Sequence, residues 1–372
     1  MKLTKFFALL CAAAATLVSC DPTPSNEPDG PETTGSLKLM ADKTAVSLGE
    51  TVTMSVWQQG VDVTDKSTIY DADMNVVPAT FTPLASGSYS FFATKGAESS
   101  NDLVITVMAT MPNIPADPEP ANTMFNHRLV IIDHTGMNCP YCPSMIDKLM
   151  AFAETEWHQH YNEVTCHAGN LAGGDPGNSA AATVLNQTQA KMIGGYPNIC
   201  INIHDATVGN YNESVFLRYM DEEFSKLVKK SGADAGISMA VEGDSTNVYC
   251  AAQIKASVEQ EYKVTAWLLE SNIYSPNQSG ASKDYHKIYN FALRNMAGDY
   301  KKDNVQGESI GVLAAGETHN CAFELPVISN KWMVENMDVL VIVSAKNANN
   351  VWEIVNSAMC HIGEAKPYEY VK

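Results

Sequence analysis

Two cysteines two residues apart, in Cys139-Pro140-Tyr141-Cys142, carry the clearest chemical potential in this chain. Such a pair can cycle between dithiol and disulfide: one thiolate attacks a bound disulfide, and the second sulfur then releases the product. The attacking thiol must ionise below its ordinary pKa of about 8.5. The flanking pattern supplies a means. Leu129-Val130-Ile131-Ile132 before the motif is a continuous apolar run, the mark of a strand buried on both faces. Met145, Leu149, Phe152 and Ala153 after it form one helical stripe. Cys139 is therefore expected to open a helix, where free amides and the helix dipole favour the thiolate. Pro140 would sit in the first turn, where its missing N–H costs little, and Cys142 would be the resolving thiol.

Cysteine pairs also hold zinc, but such sites normally use a second pair or paired histidines, and none follows at ligand spacing. His158 and His160 are two residues apart, which on a helix points them to different faces. No metal and no cofactor is expected. Cys166, Cys200, Cys250, Cys321 and Cys360 lie mostly in apolar strand runs, so buried inert thiols are the default reading. Their odd number leaves at least one unpaired within the chain.

The elements that must position the motif fall into blocks. Residues 126–232 alternate strand and helix. Strands are expected at Glu163–Ala168 and Ile199–Ile203, and helices on the stripes Ala181, Val184, Leu185, Thr188, Met192 and Phe216, Met220, Phe224, Leu227. Gly194-Gly195 stops the first of these helices, and Lys229, Lys230 and Gly232 close the second. Residues 35–111 read as short alternating strands, such as Thr51 to Trp57, forming a small β-sandwich. Pro112, Pro115, Pro118 and Pro120 make 112–125 a semi-rigid linker. From Ala233 to Lys372 strand patterns dominate, and a second all-β sandwich is expected, interrupted by a partly helical insertion near Tyr285 to Met296.

Several of these features resemble known families. The apolar strand ending in Asp133, followed by Cys139-Pro140-Tyr141-Cys142 and later by Gly194-Gly195-Tyr196-Pro197, resembles the thioredoxin superfamily. That resemblance implies an α/β thioredoxin-like domain over 126–232 and a cis peptide bond before Pro197. It casts Asp133 as the buried acid that accepts a proton during resolution. Pro140, Tyr141, Tyr196 and Pro197 become the residues that meet a substrate chain. The Pro-Tyr pair is glutaredoxin-like, but no glutathione pocket is recognisable. Val46-Ser47-Leu48-Gly49-Glu50-Thr51-Val52-Thr53 looks like the opening of bacterial immunoglobulin-like domains. Thr135 to Pro143, behind a lipoprotein signal and ahead of a β-rich C-terminal part, resembles the twenty-eight-kilodalton outer-membrane lipoprotein family of Gram-negative anaerobes. That family implies no activity. The expected function is thiol–disulfide exchange with protein thiol or disulfide substrates through Cys139 and Cys142. The alternative is a non-enzymatic envelope binding or adhesion protein that uses the same fold as scaffold.

The address is read at the start of the chain. Lys2 and Lys5 precede the apolar stretch Phe6 to Val18, so residues 1–19 form a secretory signal. Leu17-Val18-Ser19-Cys20 resembles the lipobox of bacterial lipoproteins, which implies acylation of Cys20 and a membrane anchor. Multiple acyl chains anchor stably where one is marginal. Residues 20–34 then read as a tether, too poor in apolar residues to pack a core. The expected location is the outer membrane, on either face. The net charge of −18 falls to −20 once the two lysines of the signal are removed. A surface this acidic repels phosphate backbones, so nucleic acid is excluded as a partner. Labelled fatty acid should enter the protein in cells, and Cys20→Ala should abolish that label and release the chain from the membrane fraction. Equal membrane retention of the variant would refute the anchor.

Overall fold

Alternation builds the first unit. In the strand Val52–Gln58, Val52, Met54 and Val56 are buried between more exposed neighbours, the period of two that a pleated strand imposes. This strand pairs antiparallel with Lys38–Ala41. A second sheet forms around Gly87–Lys95 and Leu103–Met108, and Val46, Met54, Phe91 and Ile105 fill the space between the two. The computed structural model describes residues 37–109, 111–300 and 304–371. The expected signal at 1–19, the expected acylation site Cys20 and the expected tether at 20–34 lie outside the described residues.

The proline-bearing segment 112–125 is docked on the C-terminal part. The buried ammonium of Lys255 donates to Asp117 Oδ2 at 2.9 Å, Pro120 O at 2.6 Å and Asn122 O at 2.9 Å. The Tyr370 hydroxyl donates to Asp117 Oδ1 at 2.6 Å. Phe125 is fully buried against Tyr368 and Tyr370. It lies over Gly236, where a Cβ would come within 2.3 Å of the ring.

The main body is organised by one nine-stranded sheet. Its path runs Ala206–Gly209, Asn198–Ile201, Leu129–Thr135, Tyr161–His167, Ala292–Met296, Gln260–Glu270, Met337–Lys346 and Trp352–His361, with Glu308–Leu313 also pairing Gln260–Glu270. Helices α1 (Pro143–Ala153) and α3 (Glu213–Leu227) cover one face of the first strands through Met145, Phe152, Phe216 and Phe224. Asn212 caps α3, its side chain accepting from Val215 N at 3.1 Å. Helix α2 (Ala180–Thr188), capped by Ser179, packs on the opposite face. A four-stranded sheet containing Ala235–Gly243, Asn247–Ala256 and Thr318–Pro326 closes over the other half of the large sheet.

This arrangement corrects the expected fold class. The structure is predominantly β, with three α-helices among the described residues, and it shows no separate α/β thioredoxin-like domain between two independent sandwiches. The strands of 126–232 and those of 233–372 belong to one sheet and share one core. Val130, Ile132, Val164 and Cys166 pack with Trp267, Leu269, Leu293 and Leu340. The reason is lateral pairing. Tyr161–His167 runs parallel to Ala292–Met296 at Thr165↔Ala292, so the central strands have no free edge there. The partly helical insertion expected near Tyr285 to Met296 is itself corrected. Only Asp284–Lys287 forms a 3₁₀ turn, and Ala292–Met296 is an interior strand of the sheet.

Two polar groups stitch the halves together. Arg294 Nε donates to Glu270 Oε2 at 2.6 Å and its Nη1 to Pro176 O at 2.8 Å. The second oxygen of Glu270 accepts from Met333 N at 2.9 Å. Both side chains of this pair are buried. Arg294→Ala should therefore cost about 3–5 kcal/mol, because it leaves a buried carboxylate without its cation. Arg294→Met combined with Glu270→Leu should recover most of that loss. Denaturant midpoints of the three chains check both statements.

Candidate functional site

Cys139 and Cys142 form a disulfide. The strand Leu129–Thr135, buried along its whole length, delivers the chain to Gly136, and Cys139 N donates back to Gly136 O at 3.0 Å. Helix α1 begins at Pro143, just past Cys142, which is the capping residue. The expectation that Cys139 opens the helix is thus corrected: the free amides of the first turn lie nearer Cys142. Pro140 and Tyr141 are exposed, Tyr141 at 67%.

Both cysteines are only 1% exposed. Neither is the more accessible of the two, so burial does not mark Cys139 as the attacking sulfur. The cover comes from a distant segment. Gln278 Nε2 donates to Cys139 O at 3.2 Å, and Ser279 N donates to Met137 O at 2.8 Å. Gly280 follows at φ +74, where a Cβ would come within 2.0 Å of Pro140 O. Only glycine permits so close an approach in that backbone conformation. Gln278 is held in turn by Tyr289, whose hydroxyl donates to its Oε1 at 2.6 Å. Residues 278–280 therefore form a strap across the motif.

Asp133, Cys142 and Glu163 line one cavity of about 430 Å³. Asp133 and Glu163 stand on adjacent parallel strands, with Ile131 opposite Glu163 and Asp133 opposite Thr165. The Oδ1 atom of Asp133 is buried with no hydrogen-bond partner among the described residues. Burial, followed by the nearby charge of Glu163, holds the Asp133 carboxyl well above the usual range. Burial pushes Glu163 up to about 7.

The Tyr196–Pro197 bond is cis, as expected. Pro197 is buried and Tyr196 half-buried, with Asn186 Nδ2 donating to the Tyr196 hydroxyl at 2.6 Å. His134, next to Asp133 in the strand, faces the opposite side of the sheet. Its ring contacts Gln189 Oε1 at 2.8 Å, and burial holds it down to about 4. Cys166, Cys200, Cys250, Cys321 and Cys360 are buried free thiols. Among the described residues, no three or more His, Cys, Asp or Glu side chains gather as a metal site would require. Sequence reasoning missed Glu163, Gln278 and Tyr289. The one signal available was a carboxylate in an otherwise buried strand pattern, at Glu163. Gln278-Ser279-Gly280 reads only as a turn.

No family model matches this chain, and no curated protein matches it. Among solved structures, HBP35 of Porphyromonas gingivalis is similar, with a TM-score of 0.52 at 17% identity over 66% of this chain and 78% of that one. At that identity the likeness concerns the fold alone. A β-glucosidase from Kluyveromyces marxianus aligns with a TM-score of 0.18 at 13% identity, over 41% of this chain and 18% of its own. That score carries no argument.

The raised Glu163 carboxyl has a thermodynamic consequence. The folded chain holds this proton up to about pH 7, whereas the unfolded chain releases it near the ordinary value of 4.5. Its contribution to stability is therefore full below about 4.5, falls as pH rises between the two values, and stays low above about 7. Glu163→Gln should be more stable than the parent at pH 8 and should match it near pH 4. Denaturant unfolding at pH 4, 6 and 8 measures the difference.

Proposed function

We propose that this chain is an outer-envelope lipoprotein, anchored through Cys20, that exchanges thiols and disulfides through Cys139 and Cys142. One observation supports it above the others. Cys142 and the Asp133 carboxyl, whose Oδ1 has no hydrogen-bond partner among the described residues, line the same cavity, so a proton acceptor shares the space onto which the resolving cysteine opens. A carboxyl whose pKa is raised toward that of a thiol is better matched to this transfer than an ordinary one.

In the reductive direction, the Cys139 thiolate attacks one sulfur of a substrate disulfide, and the other substrate sulfur leaves as thiolate. Cys142 then gives its proton to the Asp133 carboxylate and attacks the Cys139 sulfur, releasing the second substrate thiolate. Two electrons pass to the substrate, and the pair ends as the disulfide seen here. The exposed Pro140 and Tyr141 and the Tyr196-Pro197 turn are the surfaces proposed to meet the substrate chain. With Cys139 only 1% exposed, the 278–280 strap must part before attack. No cofactor enters this scheme.

The same burial favours a second reading, a binding or adhesion protein in which the disulfide clamps the loop ahead of α1. Redox poise separates the two. Titration of the full chain in glutathione buffers, read by thiol labelling, should give a potential of about −120 to −270 mV, the range of exchange-active pairs. Cys142→Ser should accumulate mixed disulfides with envelope proteins, and Cys139→Ser should not. A potential below about −300 mV with no trapped partner would establish the second reading instead.

A further inference from the structure

The cavity beside the disulfide has a composition that the exchange scheme leaves unused. It is bounded by the sheet through Asp133, Thr165 and Glu163, by α1 through Leu149 and Met150, and by the segment 278–291 through Tyr289 and Phe291. At about 430 Å³ it falls within the range of small-molecule sites, roughly 300–1,000 Å³. Its rim is open to solvent where Met150 and Tyr285 are 53% and 39% exposed.

We propose that this cavity binds a small organic cation, an ammonium group carried on an apolar or aromatic body. Two carboxyls face an otherwise largely apolar space, and one oxygen of Asp133 has no hydrogen-bond partner among the described residues. Among the described residues, the lining holds no lysine or arginine to supply the opposite charge. Helix α1 lines the space with apolar residues alone, its Lys148 turning away to Asn210, and the capping Cys142 is oxidised. From the strands comes His167, whose Nδ1 lies 2.9 Å from Asp175 Oδ2. On the 278–291 segment, Lys283 and His286 contact Asp147, Lys287 lies by Asp284, and the lining groups are the phenols Tyr285 and Tyr289. Carboxyls that crowd each other in an apolar space are stabilised as anions by a cation placed between them. The aromatic walls suit the same guest, since ring faces attract ammonium groups. A neutral alcohol or ketone of the same shape would fill the space but leave the missing charge unsupplied.

This inference is independent of exchange at Cys139, because the disulfide is only part of the wall. Binding should release protons below about pH 7, where Glu163 is still protonated in the free chain.

The test uses the full-length oxidised chain, with phenethylammonium and its neutral counterpart 2-phenylethanol as probes in isothermal titration calorimetry. The amine should bind with one-to-one stoichiometry, at least tenfold more tightly than the alcohol at pH 8. Its affinity should fall at least fivefold at pH 5.5. Below pH 7, the measured heat should depend on the buffer's ionisation enthalpy in the sense of proton release. Glu163→Gln should weaken the amine tenfold or more and leave the alcohol unchanged. Met150→Trp, at the exposed rim, should block both. Equal binding of amine and alcohol, no amine binding, or heats independent of buffer below pH 7 would each overturn the proposal. The buffer dependence is read on the unmodified chain, so the result does not hang on any variant folding.

Discussion

The architecture turns on one lateral contact, where the strand Tyr161–His167 meets the segment leading into Ala292–Met296. Thr165 N donates to Phe291 O at 2.8 Å, and the Thr165 hydroxyl donates to Asn290 O at 2.8 Å. This short parallel pairing closes what would be the open edge of the central strands. An uncovered edge is a row of unmet donors and acceptors. Ser179, the cap of α2, reinforces the joint by donating to Leu293 O at 2.6 Å. With the edge closed, Trp267, Leu269 and Leu340 complete a core begun by Val130 and Ile132.

The site inherits its character from that joint. Once Asn290 and Phe291 are fixed beside Thr165, the preceding residues must cross the end of the sheet that carries the disulfide. Gln278, Ser279 and Gly280 are thereby laid over Cys139 and Pro140, and Tyr289 is set in the wall opposite Cys142. The cavity is the space left between this crossing and α1. Because its walls are largely apolar, the carboxyls of Asp133 and Glu163 lose hydration without gaining a cation, and both are pushed toward the protonated form. Asp147 shows the contrast. It stands on the outer side of α1 among Lys283, Tyr285 and His286, and although burial alone would raise it, hydrogen bonds from these three hold it down at about 2.

Exchange and ligand binding thus draw on one structural fact in different ways. For exchange, the strap is an obstacle and Asp133 a proton acceptor. For a bound cation, the strap and its continuation are a wall and both carboxyls are partners. The two readings need not compete, since Cys139 faces the strap while Cys142 faces the cavity.

The local elements of the centre were legible in the sequence because their signals are local. The apolar run at Leu129 to Ile132 and the stripes of α1 and α3 are set by periodicity along the chain. The Cys139-Pro140-Tyr141-Cys142 spacing announced a pair able to close a disulfide, whereas the cis bond before Pro197 was implied only by the resemblance of Gly194-Gly195-Tyr196-Pro197 to the thioredoxin loop. The fold class was not legible, because a strand pattern records which faces are buried and never which strand lies alongside. A run buried on both faces looks the same whether a helix or a distant part of the chain covers it. Whether the disulfide is exposed, and whether Asp133 and Glu163 share a cavity, depends on residues about 140 positions further on, at Gln278 to Phe291. Those residues read as a turn and then as a partly helical insertion from about Tyr285, patterns that fit many placements, and the closure of the sheet edge at Thr165 selects one.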